Sequence, residues 1–182
     1  GQVSARLAHI RRHPIKSVGG EGLDKVTLQA ARRLPGDREW AVVTEAGERH
    51  ARASESGGAP DRWLPKSCFV RGVSSAAVQA IAGGWRNGRI ALSQPAQSDL
   101  SFDPETEADR LIEWLRPLWP ADAPAPTRLV RGVAIWTDQK WPWLSILSLS
   151  SLSALEERIG PSNPGCFWLK VLQKINFSFS HK

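Results

Sequence analysis

Residues 10–40 read IRRHPIKSVGGEGLDKVTLQAARRLPGDREW, and the fold turns on how the two ends of this stretch are read. At the near end Lys16 is followed by Ser17 and then by Gly19-Gly20. An ammonium, a hydroxyl and accessible backbone N–H groups therefore lie close together in sequence, the outline of an anion cradle. At the far end Pro35-Gly36-Asp37 is a turn signal, and Arg38 stands between it and the apolar run 40–43, which reads as a strand. A planar guanidinium at a strand's mouth suits a phosphate. Basic residues beside Gly and Pro are also common in solvated loops, so these residues alone leave both readings open.

Working outward, residues 7–10 read as a first strand that Pro14 ends, and the alternation of Leu23, Val26 and Leu28 with polar neighbours as a half-exposed second one. Residues 40–44 are the third strand. Residues 45–48 look like a hairpin turn, with 49–53 returning from it. Residues 54–60 read as a loop and 68–73 as another short strand, whose Cys68 is a small buried residue rather than a nucleophile. Asn87-Gly88 marks a hairpin that leads into residues 90–92. The acids of 103–107 open the clearest helix, with Leu111, Ile112, Leu115 and Leu118 at helical spacing. The composition of 121–126, ADAPAP, suits a linker. A strand over 127–136, a polar turn holding Asp138, a short strand at 146–149 and a helix opened by a Ser153–Glu156 capping box and closed by Gly160 follow. Short strands with no room for helical crossovers predict a mainly β, α+β chain built on antiparallel pairing.

The pattern HPIKS, then GEGLDKV, then LPGDREWAVV resembles the amino-terminal β-barrel region that precedes MOSC domains, the carboxy-terminal domains of molybdenum cofactor sulfurases and their relatives. WTDQKWPWLSILSLSSLSALEERIG, residues 136–160, is similar to the segment that opens the MOSC domain proper. The resemblance implies an antiparallel β-barrel-like domain over 1–120, the linker 121–126, and the start of a second β-barrel, the MOSC domain, over 127–160. It further implies molybdenum cofactor (molybdopterin) binding, with Lys16, Ser17 and Arg38 on the phosphate of the pterin. The activity implied is sulfur transfer or molybdenum-dependent reduction, with a sulfur-donor or electron-transfer protein as partner.

Past Gly160 the resemblance stops. Residues 161–182 carry three lysines and no acidic side chain, whereas every arginine and every carboxylate side chain lies at or before Arg158. Family members continue here into an Arg-Phe-Arg and Asn element and later a molybdenum-ligating cysteine, and the surroundings of Cys166 do not match that segment. The expectation is a replaced or frameshifted tail on a truncated, inactive protein, with no metal ligand assigned.

Hydrophobic content of 41% with 23% charged residues is that of a globular chain. No apolar run reaches the roughly 18 residues of a membrane span, and the start lacks a signal peptide's apolar core, so a cytoplasmic protein is expected. Two distant cysteines support neither a disulfide framework nor a zinc site. There is no G-x-S-x-G elbow for a serine hydrolase. The net charge of +6 admits a second reading, a non-catalytic basic β-rich module for nucleic acid or protein, with Arg11, Arg12, Arg32, Arg33, Arg86 and Arg89 as its face. Up to Gly160, however, 21 basic residues stand against 18 acidic ones, a nearly balanced body that argues against nucleic acid.

Overall fold

A computed structural model describes residues 6–30, 32–54, 64–132 and 148–159. The chain divides into two compact units, residues 1–142 and 143–182.

The first unit is organised around β3 (Trp40–Thr44), all five residues of which are buried. A strand's side chains alternate between faces. Here the alternation feeds two cores: Trp40 and Val42 join Ile15, Val18, Ile90, Phe102 and Leu111, while Ala41 and Val43 join Leu64, Cys68, Phe69 and Val130. A strand covered on both faces has to be apolar throughout, which is why 40–43 reads as an unbroken run. Burial of each such Val side chain contributes roughly 1.5–2 kcal/mol.

The partner of β3 is β7 (Pro126–Arg131), antiparallel, with Trp40 opposite Arg131 and Val42 opposite Leu129. On its other edge β3 takes the chain at Pro14–Lys16, where Lys16 N–H donates to Trp40 O (2.8 Å) and Trp40 N–H to Pro14 O (3.1 Å). That segment continues β1 (Ile10–Arg12), which pairs with β2 (Glu21–Leu23). Gly20 and Gly83 exchange backbone hydrogen bonds of 2.8 and 3.0 Å, joining β2 to β4 (Ala82–Arg86). Then follow β5 (Arg89–Ser93) and β6 (Leu100–Phe102), both antiparallel. Three antiparallel sheets, β1-β2, β3-β7 and β4-β5-β6, are thus linked in the order β6-β5-β4-β2-β1-β3-β7 by single bridges, antiparallel at Gly20–Gly83 and parallel at Ile15–Trp40. No hydrogen bonds close β6 onto β7 among the described residues, so the barrel-like expectation holds for antiparallel sheets but not for closure. The helix α3 (Ala108–Leu115) touches both end strands and lays Leu111, Ile112 and Leu115 into the core.

Several local expectations are corrected. The first two strands lie at 10–12 and 21–23 rather than 7–10 and 23–28, and Leu7 and Leu28 are exposed. Residues 45–53 do not return from a hairpin: they form α1 (Glu45–Ser54), acidic in its first turn. Gly47 belongs to a close approach, because a Cβ there would run into the backbone of Cys68. Residues 68–73 are not a strand: a 3-10 turn at Lys66–Cys68 leads to Phe69 and Val70, which pair with β3, and a second such turn covers Gly72–Ser74. Cys68 is buried as expected, and burial pushes its thiol pKa up. The acids at 103–107 precede α3 in a turn of their own, in which Glu107 accepts from Asp103 N–H (2.8 Å). A one-turn helix, α2 (Ala76–Gln79), is capped by Ser75. The segment 121–126 leads back into the unit, with Glu45 N–H donating to Ala125 O (2.9 Å) ahead of β7.

The second unit is described only at α4 (Leu149–Ile159). Its cap is Ser148, whose Oγ accepts from Ser151 N–H (3.2 Å), while Ser153 lies inside the helix. The strand expected over 146–149 is corrected at its described end, since Leu149 opens α4, while the expected features at 133–147, Asp138 among them, and at 160–182, with Gly160 and Cys166, lie outside the described residues.

Candidate functional site

Leu34-Pro35-Gly36-Asp37 forms a tight turn, closed by Asp37 N–H donating to Leu34 O (3.0 Å). Gly36 has φ +74°, which an L side chain resists, and Pro before Gly is the type II signature. The turn is held from outside: Trp85 Nε1 donates to Gly36 O (3.2 Å) and Arg12 Nη1 to Pro35 O (3.3 Å).

From this turn Arg38 emerges beside the Lys16 loop. Arg38 N–H donates to His13 O (2.5 Å), just before the Pro14–Trp40 and Lys16–Trp40 rungs. The structure therefore brings the two predicted basic segments onto neighbouring backbone. Ser17 (φ +61°) and Arg38 (φ +43°) are both left-handed, and with Asn87 they are the only non-glycine residues so held among those described. Such conformations are costly for residues with a Cβ and concentrate at functional sites. Here they fall on two of the three residues chosen from sequence.

The N–H groups of the loop alternate in use. Those of Lys16, Val18 and Gly20 donate to Trp40 O, Ile15 O and Gly83 O, whereas those of Ser17 and Gly19 make no hydrogen bond among the described residues. The expectation of accessible N–H groups at both glycines is thus corrected for Gly20. Its N–H is consumed in the bridge to β4. Ser17 and Gly19, each with positive φ, keep theirs. Lys16 itself is buried and Ser17 partly so.

Sequence reasoning treated Asp37 only as a turn residue. It is 4% exposed, and its carboxylate accepts from His13 N–H at Oδ1 (2.8 Å) and from Arg38 Nε at Oδ2 (2.6 Å). The two terminal nitrogens of Arg38 make no hydrogen bond among the described residues. The signal for this pairing was present: an acid directly before the arginine at a turn's exit. His13 is the other neighbour sequence did not single out. Burial holds its pKa below the usual imidazole range, with Asp37 opposing and Arg38 and Arg11 adding to the fall, so the ring is neutral at pH 7.

A guanidinium fork, a lysine, a hydroxyl and two uncommitted N–H groups are the donors that a tetrahedral oxyanion requires. Arginines of the alternative basic face are largely engaged elsewhere. Arg12 and Arg86 pair with Glu21 (2.8 and 3.0 Å), Arg33 with Glu39 (3.3 Å), and Arg89 with Glu107. No group of three or more His, Cys, Asp and Glu side chains is placed to hold a metal ion among the described residues. Nor is any helix there long and apolar enough to cross a membrane.

Comparison with known proteins returned one family: the model described as MOSC N-terminal beta barrel domain matches residues 4–113. No curated protein and no solved structure matches.

Proposed function

The chain belongs to the MOSC family through its N-terminal beta barrel domain, and on that premise we propose that it binds molybdenum cofactor, with Lys16, Ser17 and Arg38 gripping the phosphate of the pterin. The observation that carries the proposal is the pair of left-handed residues, Ser17 and Arg38, on backbone segments hydrogen-bonded to each other. The donors present fit the phosphate end of the group: Lys16 supplies charge, Arg38 a planar fork, and Ser17 a hydroxyl and an uncommitted N–H. When bound, the cofactor supplies molybdenum chemistry, either sulfur transfer or reduction of a substrate. The part of this chain is to hold and orient the cofactor's anionic end. A sulfur-donor or electron-transfer protein is the class of partner such chemistry requires.

The test uses the full chain incubated with molybdopterin, freed of unbound ligand and assayed for retained pterin by fluorescence after oxidation. Replacing Lys16 and Arg38 together by Ala removes at least two charge-assisted hydrogen bonds, about 1.5–3 kcal/mol each, so retention falls a hundredfold or more. Equal retention by the double variant and the unaltered chain, or none by either, overturns the proposal.

A further inference from the structure

Asp37 sits at the anion site but carries the wrong charge to bind an anion. In Coulomb terms alone a carboxylate beside Arg38 weakens the site. Its geometry gives it another task. Both oxygens are committed, Oδ1 to His13 N–H (2.8 Å) and Oδ2 to Arg38 Nε (2.6 Å), and the residue is buried, so the carboxylate is fixed to the backbone that precedes the Lys16 loop. Arg38 N–H is anchored to His13 O from the same side. The guanidinium is thereby held at its inner nitrogen, and its left-handed backbone is held with it.

We propose that Asp37 is a positioning residue for the anion site: by occupying Arg38 Nε it fixes the guanidinium plane and leaves the two terminal nitrogens as an end-on fork for a phosphate. The inference deepens the cofactor reading and rests on it for the identity of the ligand, but it needs only a phosphate group. A free arginine side chain has many rotamers, and fixing one in advance removes an ordering cost from binding. Recognition is then end-on through the terminal nitrogens, since the side-on edge that includes Nε is already filled.

Asp37→Asn separates this role from charge. Asn keeps the shape but offers one oxygen where Asp offers two, so its amide must face either His13 N–H or Arg38 Nε–H, donor against donor. Charge alone predicts tighter phosphate binding in the variant, because a negative charge is gone. Positioning predicts weaker binding, by about tenfold. The measurement is a titration of the full chain with inorganic phosphate, followed by the ¹⁵N–¹H signal of Arg38 Nε. That signal is slow to exchange with and without phosphate in the unaltered chain, and loses its protection in Asp37→Asn.

Arg38→Lys is a second variant of unchanged charge, in case Asp37→Asn does not fold. It lacks the inner nitrogen and the fork, and it also loses about tenfold. In its background Asp37→Asn adds little further loss, which is the signature of coupled residues. Phosphate binding by Asp37→Asn equal to or tighter than that of the unaltered chain overturns the proposal, as does full affinity in Arg38→Lys or an unprotected Nε–H in the unaltered chain. Phosphate binding that follows the expected pattern without retention of molybdopterin overturns the cofactor reading and keeps the role of Asp37. Molybdopterin retention that is equal in Asp37→Asn and the unaltered chain does the reverse. No binding of either ligand overturns both.

Discussion

Glu21 and Asp37 are both buried carboxylates in contact with arginine, yet Glu21 takes Arg12 from β1 and Arg86 from β4, while among the described residues the arginine at Asp37 is its chain neighbour Arg38. Glu21 also accepts Trp85 N–H (3.1 Å), so its oxygens tie two pairs of strands together at the Gly20–Gly83 junction. Arg12 goes on to hold the Pro35 carbonyl, which makes Glu21 part of the frame beneath the 34–37 turn. At Asp37 the ion pair is local and uses one nitrogen of the guanidinium. One junction ties strands far apart in the chain; the other is a bond between chain neighbours. Arginines that look alike in sequence are thereby sorted into long-range and local pairs.

The largest expected effect is at the frame. Glu21→Ala leaves Arg12 and the Trp85 N–H without their acceptor in a buried junction, and loses about 3 kcal/mol of stability, near the low end for a broken buried pair because Arg86 reaches solvent. The urea midpoint measures it, and an unchanged midpoint would place Glu21 with the local pairs instead. Gly84→Ala strikes the same junction from the other side, since a Cβ there would run into the Glu21 carboxylate. A loss of about 2 kcal/mol is expected, from displacing a side chain held by three donors. At Asp37's side of the comparison, Arg38→Ala removes one charge-assisted donor from a buried carboxylate that keeps His13 N–H, and lowers stability by about 2 kcal/mol, less than at Glu21, which loses more partners.

Ser17→Gly sharpens the contrast further by acting in the opposite direction. Glycine adopts φ near +61° without a Cβ clash, so relief of strain offsets its greater freedom in the unfolded chain and stability rises by about 0.5 kcal/mol. Thermal unfolding tests the sign, with a lower Tm counting against stored strain at the loop. The smallest effect is a pH dependence at His13. Burial holds its folded pKa below the unfolded value near 6.5, so in the window between the two the unfolded chain binds more protons. Stability contributed by the neutral ring is therefore full above about pH 6.5 and declines as pH falls through the window, levelling off below the folded pKa. Urea midpoints of the unaltered chain and His13→Gln should diverge in slope over that window, and parallel curves would remove His13 from the account.

Much of the frame was legible. β3 appears over the residues expected, the Asn87-Gly88 hairpin forms, and Leu111, Ile112, Leu115 and Leu118 are buried as the helical spacing required. The Pro35-Gly36 turn is where its residues put it. These features depend on neighbours in the chain. What failed depends on neighbours in space: the composition of 45–48 reads as a hairpin turn with 49–53 returning along β3, but the antiparallel partner of β3 is β7, beyond residue 125. With that edge filled from afar, the residues after β3 are free to be the helix α1, and Gly47 serves its packing against Cys68.

Sequence by itself determined the third strand, the two glycine turns, the apolar face of α3 and the residue types gathered at the candidate site, because φ preference and hydrophobic periodicity act over a few residues. Only the tertiary structure decided which partner β3 takes and which carboxylate each of Arg12, Arg86 and Arg38 meets. Those outcomes hang on hydrogen bonds such as that from Arg86 to Glu21, 65 positions apart in the chain, and periodicity does not report contacts at that range.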